Sequence, residues 1–300
     1  MKNPIVSVIL GSYNRLGFLK ITVESIRNEL KNEQHEIVGV DGGSTDGTLR
    51  WLMKQKDIIS IVQHNNGFWH GKRIEKKSWG YFMNLGFRVA KSKYICMVSD
   101  DCLIVPGAIK NGIEFFENEL KVNEKIAAVP FFWRNWPEET EYRVGVTLGE
   151  NIFVNHGLYL KKALEKVGYI DEDSFSFYHA DGDLCLKLWH AGFNCKESQN
   201  SYIEHYSHAN LKVRKSNLKR QEDDRNAYMK KWNGVYEENK QHWIEKQYAD
   251  KSNIADKFKY VDLFHWYITR KIQNLTFYIV VNKLPKPVYN FLRNIYNKFN

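Results

Sequence analysis

Tyr94-Ile-Cys-Met-Val-Ser-Asp-Asp101 is the stretch that decides how the rest of the chain reads. Tyr94 to Val98 is an unbroken apolar, β-prone run, the mark of a strand covered on both faces, and it passes directly into two carboxylates. Those carboxylates therefore stand at the end of a buried strand rather than on a loose turn. The same grammar recurs upstream. Ile5 to Leu10 leads into Gly11-Ser12-Tyr13-Asn14-Arg15, and Glu36 to Val40 leads into Asp41-Gly-Gly-Ser-Thr-Asp-Gly47. Ile58 to Gln63 and Ile126 to Phe132 are two further candidate strands. Leu16 to Leu30, Thr48 to Lys54, Tyr81 to Ala90 and Ala108 to Leu120 carry apolar residues at helical spacing between them. Strand and helix in alternation predict an α/β fold with a mostly parallel sheet sandwiched by helices. Sheets of that kind gather ligands at the carboxyl ends of their strands, so three polar clusters should share one rim.

Further along, periodicity is lost from Phe131 to about His156, and the mixture of Trp133, Arg134, Trp136 and Arg143 predicts a loop-rich wall. A helix is expected from about Gly182 to Ala191, stopped by Gly192, and helices again from about Asn217. With 300 residues, 43% of them hydrophobic and 14% aromatic, the chain can bury a full core, which excludes disorder as its main state. The cysteines at 96, 102, 185 and 195 form no CxxC pair and read as reduced thiols. Met1 to Leu10 is too short and wrongly flanked for a signal peptide, and no window approaches the roughly 18 apolar residues of a spanning helix. The expected location is the cytoplasm.

The net charge is +9, and from Ser252 onward eight Lys or Arg face only Asp256 and Asp262. That basic block is interleaved with Tyr, Phe, Trp and Leu, which suits an anionic membrane surface better than a nucleic acid, where phosphate tracking calls for no such aromatic surplus. Expected localisation is thus cytoplasmic and peripheral at the inner face of the membrane.

Individually the polar clusters have ordinary readings: a double Asp is a turn or a helix cap, and Gly-Gly-Ser-Thr-Asp-Gly is a turn before an N-capped helix. Collectively they are more specific. Ser12-Tyr13-Asn14-Arg15, Asp41 to Thr48 and Ser99-Asp100-Asp101 occur in the order and spacing of glycosyltransferase family 2, which the sequence resembles over about its first two-thirds. Asn84-Leu-Gly86, Pro106-Gly107-Ala108, Val167-Gly-Tyr-Ile-Asp171 and Tyr178-His-Ala-Asp181-Gly-Asp183-Leu184 extend the resemblance. Ser99 stands where the family's Asp-x-Asp motif begins, Met83 where an Arg is common, and Ala180 where a Glu usually precedes Asp181.

The resemblance implies a GT-A fold over 1–215, a single mixed sheet in a Rossmann-like sandwich of helices, followed by a helical, basic-aromatic region over 216–300. It implies an inverting, metal-dependent transfer of one sugar from a nucleoside diphosphate sugar, UDP- or dTDP-linked, to a glycan or lipid-linked oligosaccharide. Asp181 is the implied catalytic base. Asp101 and His205 are the implied ligands of a divalent cation, Mn²⁺ or Mg²⁺, with His208 as a spare. Donor contacts fall to Ser12, Tyr13, Arg15, Asp41, Gly67, Asn84, Ser99 and Asp100, with Tyr13 stacking on the base and Asp41 accepting its imide N–H. Acceptor contacts fall to Trp133, His156, Gly157 and Asp183, and Trp69 is a further ring for stacking on sugars. Lys212, Arg214 and Lys215 read as a basic loop able to close over a diphosphate. Asn274-Leu-Thr276 has the form of a glycosylation acceptor that a cytosolic protein would not use. Two other classes stay open: a catalytically silent sugar-nucleotide or glycan-binding module, and a basic nucleic-acid-binding protein.

Overall fold

The computed structural model describes residues 4–122, 125–136, 139–206, 217–238 and 242–247, with 268, 272, 275, 283 and 285–288 beyond them. His208, Lys212, Arg214, Lys215, Asn274 and Thr276 lie outside the described residues.

Strand β1 (Val6–Ser12) lies at the heart of the fold, and its sequence explains why. Val6, Val8 and Leu10 pack into one apolar cluster with helix α1 (Leu16–Glu29), while Ile9 faces a second cluster on the other side. Alternation along an extended chain sends neighbouring side chains to opposite faces, so a run with apolar residues on both faces, such as Val8, Ile9 and Leu10, is buried twice over. Each such residue contributes about 1.5–3 kcal/mol. Beside β1 lie β2 (His35–Asp41), then β3 (Ile58–Val62), all parallel. Between those two strands runs the short helix α2 (Thr48–Leu52). After a small ribbon, β4 (Phe68–Trp69) and β5 (Lys72–Arg73), helix α3 (Trp79–Val89) leads to β6 (Tyr94–Met97), which pairs with β1 on its other side.

The chain then leaves this sheet through β7 (Cys102–Ile104) and α4 (Ala108–Val122), and returns to it as β8 (Ile126–Pro130). A first excursion follows: β9 (Phe132–Asn135), β10 (Tyr142–Thr147) and β11 (Asn151–Phe153). The chain comes back as β12 (Gly157–Leu160), then α5 (Lys161–Lys166), α6 (Ala180–His190), β13 (Asn194–Cys195) and β14 (Tyr202–His205). The last described elements are α7 (Gln221–Trp232) and β15 (His242–Lys246).

Among the described residues the main sheet has seven strands in the order β13-β8-β12-β6-β1-β2-β3, with β12 antiparallel to both neighbours. A second sheet runs β11-β10-β9-β14-β7, and β15 pairs with β10. The expected α/β sandwich with a mixed sheet is therefore observed.

Two sequence expectations differ from the structure. The stretch from Phe131 to His156 is not a loop-rich wall but the strands β9, β10 and β11, whose partners β14 and β15 arrive from distant sequence. The region after Asn217 is not wholly helical, since it supplies β15. Compact packing runs through Met1–Ala255, a unit that includes α7 and β15, and Asp256–Asn300 is a second unit.

Candidate active site

Three strand ends meet as the sequence requires. Ser12, Tyr13 and Arg15 after β1, Gly42 after β2, and Ser99 and Asp100 after β6 line one cleft of about 230 Å³. Asn65, Asn66 and Lys77 close it on the β4–β5 side, and Trp79, Asn155, Ser176 and Phe177 on the other.

Tyr13 lies with its ring against Gly42, where a Cβ would sit 3.3 Å from Tyr13 Cδ2. Asp41 is fully buried between two cleft-lining neighbours, Val40 and Gly42. Its Oδ1 accepts from the Gly43 and Ser44 amides at 2.8 Å each, and its Oδ2 has no hydrogen-bond partner. Asp46 ties the rim together: Oδ2 accepts from Leu16 N at 3.0 Å and Oδ1 from Thr48 N at 3.0 Å, anchoring the starts of α1 and α2.

Asp100 and Asp101 are buried and share one guanidinium. Arg15 Nη1 donates to Asp100 Oδ1 and to Asp101 Oδ2, each at 2.8 Å. Burial pushes both carboxyl groups up; at Asp101 it is outweighed by Arg15 and His205, which hold this group below the ordinary carboxylate range. Asp100 sits beside that charge as well as being buried, and rises to about 6 despite Arg15. Asp101 Oδ1 makes no hydrogen bond, and His205 Nε2 stands 3.4 Å away. The next residue, Cys102, is pinned to α1: Thr22 Oγ1 donates to its carbonyl at 2.7 Å and accepts from its amide at 3.1 Å.

His205 ends β14 directly opposite Cys102 on β7, so both side chains share a face. His156, just before β12, completes a group with Cys102 and His205 whose potential ligand atoms lie within 4.8 Å of one another. Cys102 had no place in the sequence expectation; its signal was adjacency to Asp101. Burial and His205 push His156 down to about 3, so it is neutral. Trp133 packs edge-on against both imidazoles, with centroids 6.0 Å from His156 and 5.7 Å from His205.

Asp181 opens α6 in half-buried surroundings. Burial raises its carboxyl above the ordinary range, opposed by the Gly182 amide on Oδ1 and by Asn155 Nδ2 on Oδ2, both at 2.9 Å. Asn155 lines the cleft together with Asp100, so one hydrogen bond links Asp181 to that space. Before it, His179 adopts left-handed φ of 63° and stacks on Tyr228 of α7 at 5.0 Å. Strained backbone of this kind persists where packing over-determines it.

Some expected contacts are not brought to the cleft. Asn84 is buried with its amide fully used, donating to Ile170 O and Glu172 Oε2 at 2.8 Å and accepting from Ile170 N at 3.0 Å. Gly67 is exposed on the β4–β5 ribbon. Asp183 is buried under α7, accepting from Trp232 Nε1 at 2.9 Å and pairing with Lys231. Gly157 is a packing position, since a Cβ there would meet Val129 O at 2.3 Å. Conversely Asn155 and Phe177 line the cleft without having been expected as donor contacts.

Comparison with known proteins gives this geometry its place. A region of 109 residues, 35% of the chain, is 29% identical to a chondroitin synthase of Pasteurella multocida, of which it covers 10%. Another of 128 residues, 41% of the chain, is 25% identical to an Escherichia coli chondroitin synthase and covers 17% of it. Among solved structures, S. aureus TarS 1-349 superposes with a TM-score of 0.50 at 16% identity, over 68% of this chain and 61% of that one. The mannosyltransferase PcManGT from Pyrobaculum calidifontis, solved with GDP-Man and Mn²⁺, also gives 0.50 at 16% identity, over 69% and 58%. The chain thus spans less than two thirds of each of these proteins, and the structural likeness establishes a GT-A fold. The sequence model described as glycosyl transferase family 2 matches residues 7–170, more than half of the chain and every one of the three strand-end clusters, so the chain belongs to that family.

Proposed function

We propose that this protein moves one sugar from a nucleoside diphosphate sugar, UDP- or dTDP-linked, onto a hydroxyl of a glycan or lipid-linked oligosaccharide, with inversion at the anomeric carbon. The observation that carries this reading is Asp181, a half-buried carboxylate of raised pKa held by Asn155, which lines the same cleft as Tyr13, Ser99 and Asp100. On the donor side, the unpartnered Asp41 Oδ2 suits the imide N–H of a pyrimidine stacked on Tyr13.

Asp181 takes the proton of the attacking hydroxyl while that oxygen bonds to the anomeric carbon. The bond from carbon to diphosphate oxygen breaks on the opposite side, so one displacement inverts the centre. The unsatisfied Asp101 Oδ1 beside His205 Nε2 fits a divalent cation, and Asp101 and His205 would hold it. One imidazole in the set favours Mn²⁺ over Mg²⁺. Such an ion supplies charge stabilisation to a departing diphosphate. Arg15, fixed on Asp100 and Asp101, keeps this acidic corner charged and rigid.

The names of the relatives, chondroitin synthases, and the GDP-Man and Mn²⁺ of one structural neighbour point the same way. Among the described residues no helix is long and apolar enough to cross a membrane. The basic, aromatic residues from 252 onward suit the anionic inner face of a membrane, where a lipid-linked acceptor would be met. Residues 1–215 would then form the transfer site and 216–300 the region that brings it to the surface.

Turnover of a panel of UDP- and dTDP-sugars with Mn²⁺ tests this reading. Asp181→Asn is expected to lower turnover by about 10²–10⁴-fold with donor affinity kept. Donor binding without any turnover in the wild type would instead identify a silent binding module.

A further inference from the structure

The ribbon β4–β5 holds two large aromatic side chains out to solvent. Phe68 and Trp69 are each 73% exposed. Their register places each ring opposite a cation: Phe68 pairs with Arg73 and Trp69 with Lys72. Directly opposed residues of an antiparallel pair share a face, and successive residues take opposite faces. Each face of the ribbon therefore carries one aromatic residue and one cationic residue, their Cβ atoms about 5 Å apart. Lys72, Arg73 and Lys76 form no ion pair among the described residues, and Glu75, the single acid from 64 to 78, is engaged by Lys77.

The ribbon is held in place rather than loose. His70 and Gly71 at its tip both have positive φ, 48° and 73°, as the tightest hairpin turn requires. At its base Asn65 donates to Lys77 O at 3.1 Å and accepts from Lys77 N at 2.6 Å, while Ile74 N donates to Gly67 O at 2.9 Å. Asn65 N also donates to Gly42 O at 3.1 Å. Asn65, Asn66 and Lys77 line the donor cleft, so the ribbon rises from the rim of that cleft.

We infer that the 66–76 ribbon is an acceptor-binding arm for an anionic glycan, one bearing carboxylates such as those of hexuronates. This rests on the transferase reading for the word acceptor, but not for the binding itself. A pyranose ring offers an apolar C–H face to Phe68 or Trp69, and a carboxylate on the same or the next sugar reaches Arg73 or Lys72. Ring stacking supplies area at low entropic cost, and charge-assisted hydrogen bonds supply the preference for acids. A membrane anchor would gather its rings on one face, whereas these point to opposite faces. A chain bound along the ribbon runs toward Asn65, Asn66 and Lys77, hence toward the cleft.

Calorimetric titration of the full chain with an octasaccharide of alternating glucuronate and N-acetylglucosamine tests this, with malto-octaose as the neutral control. Binding of the uronate octasaccharide is expected, at least about tenfold tighter than malto-octaose and weakened as salt rises. The double variants F68A/W69A and K72A/R73A are each expected to lose at least about tenfold in affinity. UDP binding with Mn²⁺ serves as the check that each variant is folded. Equal affinity for the two octasaccharides, or unchanged affinity in both variants, overturns the inference. So does ribbon-dependent binding to phosphatidylglycerol vesicles without octasaccharide binding. If the wild type binds the uronate octasaccharide through the ribbon yet turns over no sugar nucleotide, the transferase reading falls and the arm stands.

Discussion

At the scale of single residues, what matters is how one strand end holds opposed charges at fixed distances. Asp100 and Asp101 would repel each other across a buried turn, and Arg15 sits between them at 2.8 Å from each. Among the described residues Asp181 meets no such cation in hydrogen-bond contact; the amides of Gly182 and Asn155 hold it, and burial raises it. A carboxylate must be ionised to accept a proton, so activity should vanish as pH falls through that raised value. In kcat/KM against pH, the acid limb is expected above the ordinary aspartate value of about 3.9 and absent from Asp181→Asn. A limb at or below that value would show that another group receives the proton. Much of this was legible: Tyr13, Asp41, Asp101 and Asp181 are named by motif order. Asn84 was not, because a motif gives a residue's place but not the direction of its amide, which turns to Ile170 and Glu172.

Among the elements, α7 governs the site most without touching the cleft. Asp224, Tyr228, Lys231 and Trp232 fall on one helical face by their spacing. Asp224 Oδ1 accepts from Ser176 N at 2.7 Å, and Oδ2 from Phe177 N and Tyr178 N at 2.9 and 2.8 Å. One buried carboxylate thereby fixes a loop that both lines the cleft and leads to Asp181. Lys231 and Trp232 hold Asp183 one turn further on. Asp224→Ala would orphan three amides at about 1–3 kcal/mol each where they stay buried. It is expected to lower stability to urea by about 2–4 kcal/mol, and kcat by more than tenfold at temperatures where the variant is still folded. Native stability together with native kcat would show that the loop is set by other contacts. The packing of α7 was hidden in the sequence because the face it buries is partly charged, so no apolar stripe announced it.

Over the whole molecule, two apolar layers press on one sheet, and one close helix–strand approach is set by a glycine. Gly86 lies on α3 where a Cβ would come 2.4 Å from Ile9 Cγ2. Gly86→Ala should therefore push α3 off β1 and cost about 1–3 kcal/mol, seen as a lowered urea midpoint with an unchanged slope. An undiminished midpoint would mean that Ile9 has a free alternative rotamer. Asn84-Leu-Gly86 was read in the sequence as part of a donor-binding motif, yet here both ends of it are packing positions.

The sequence by itself determined the layered α/β architecture and the rim of three strand ends. Buried strands must be apolar throughout and their polar ends follow without spacers, a local pattern that survives without coordinates. Through motif order it also put forward Asp101, Asp181 and His205 as candidates for one site. Only the tertiary structure decided that 131–156 is sheet, that α7 clamps the start of α6, and that Cys102 and His156 crowd His205. Those facts depend on pairing between segments distant in sequence, β9 with β14 and β10 with β15. The choice of partner is made by the shape and charge of surfaces that exist only once the chain has folded.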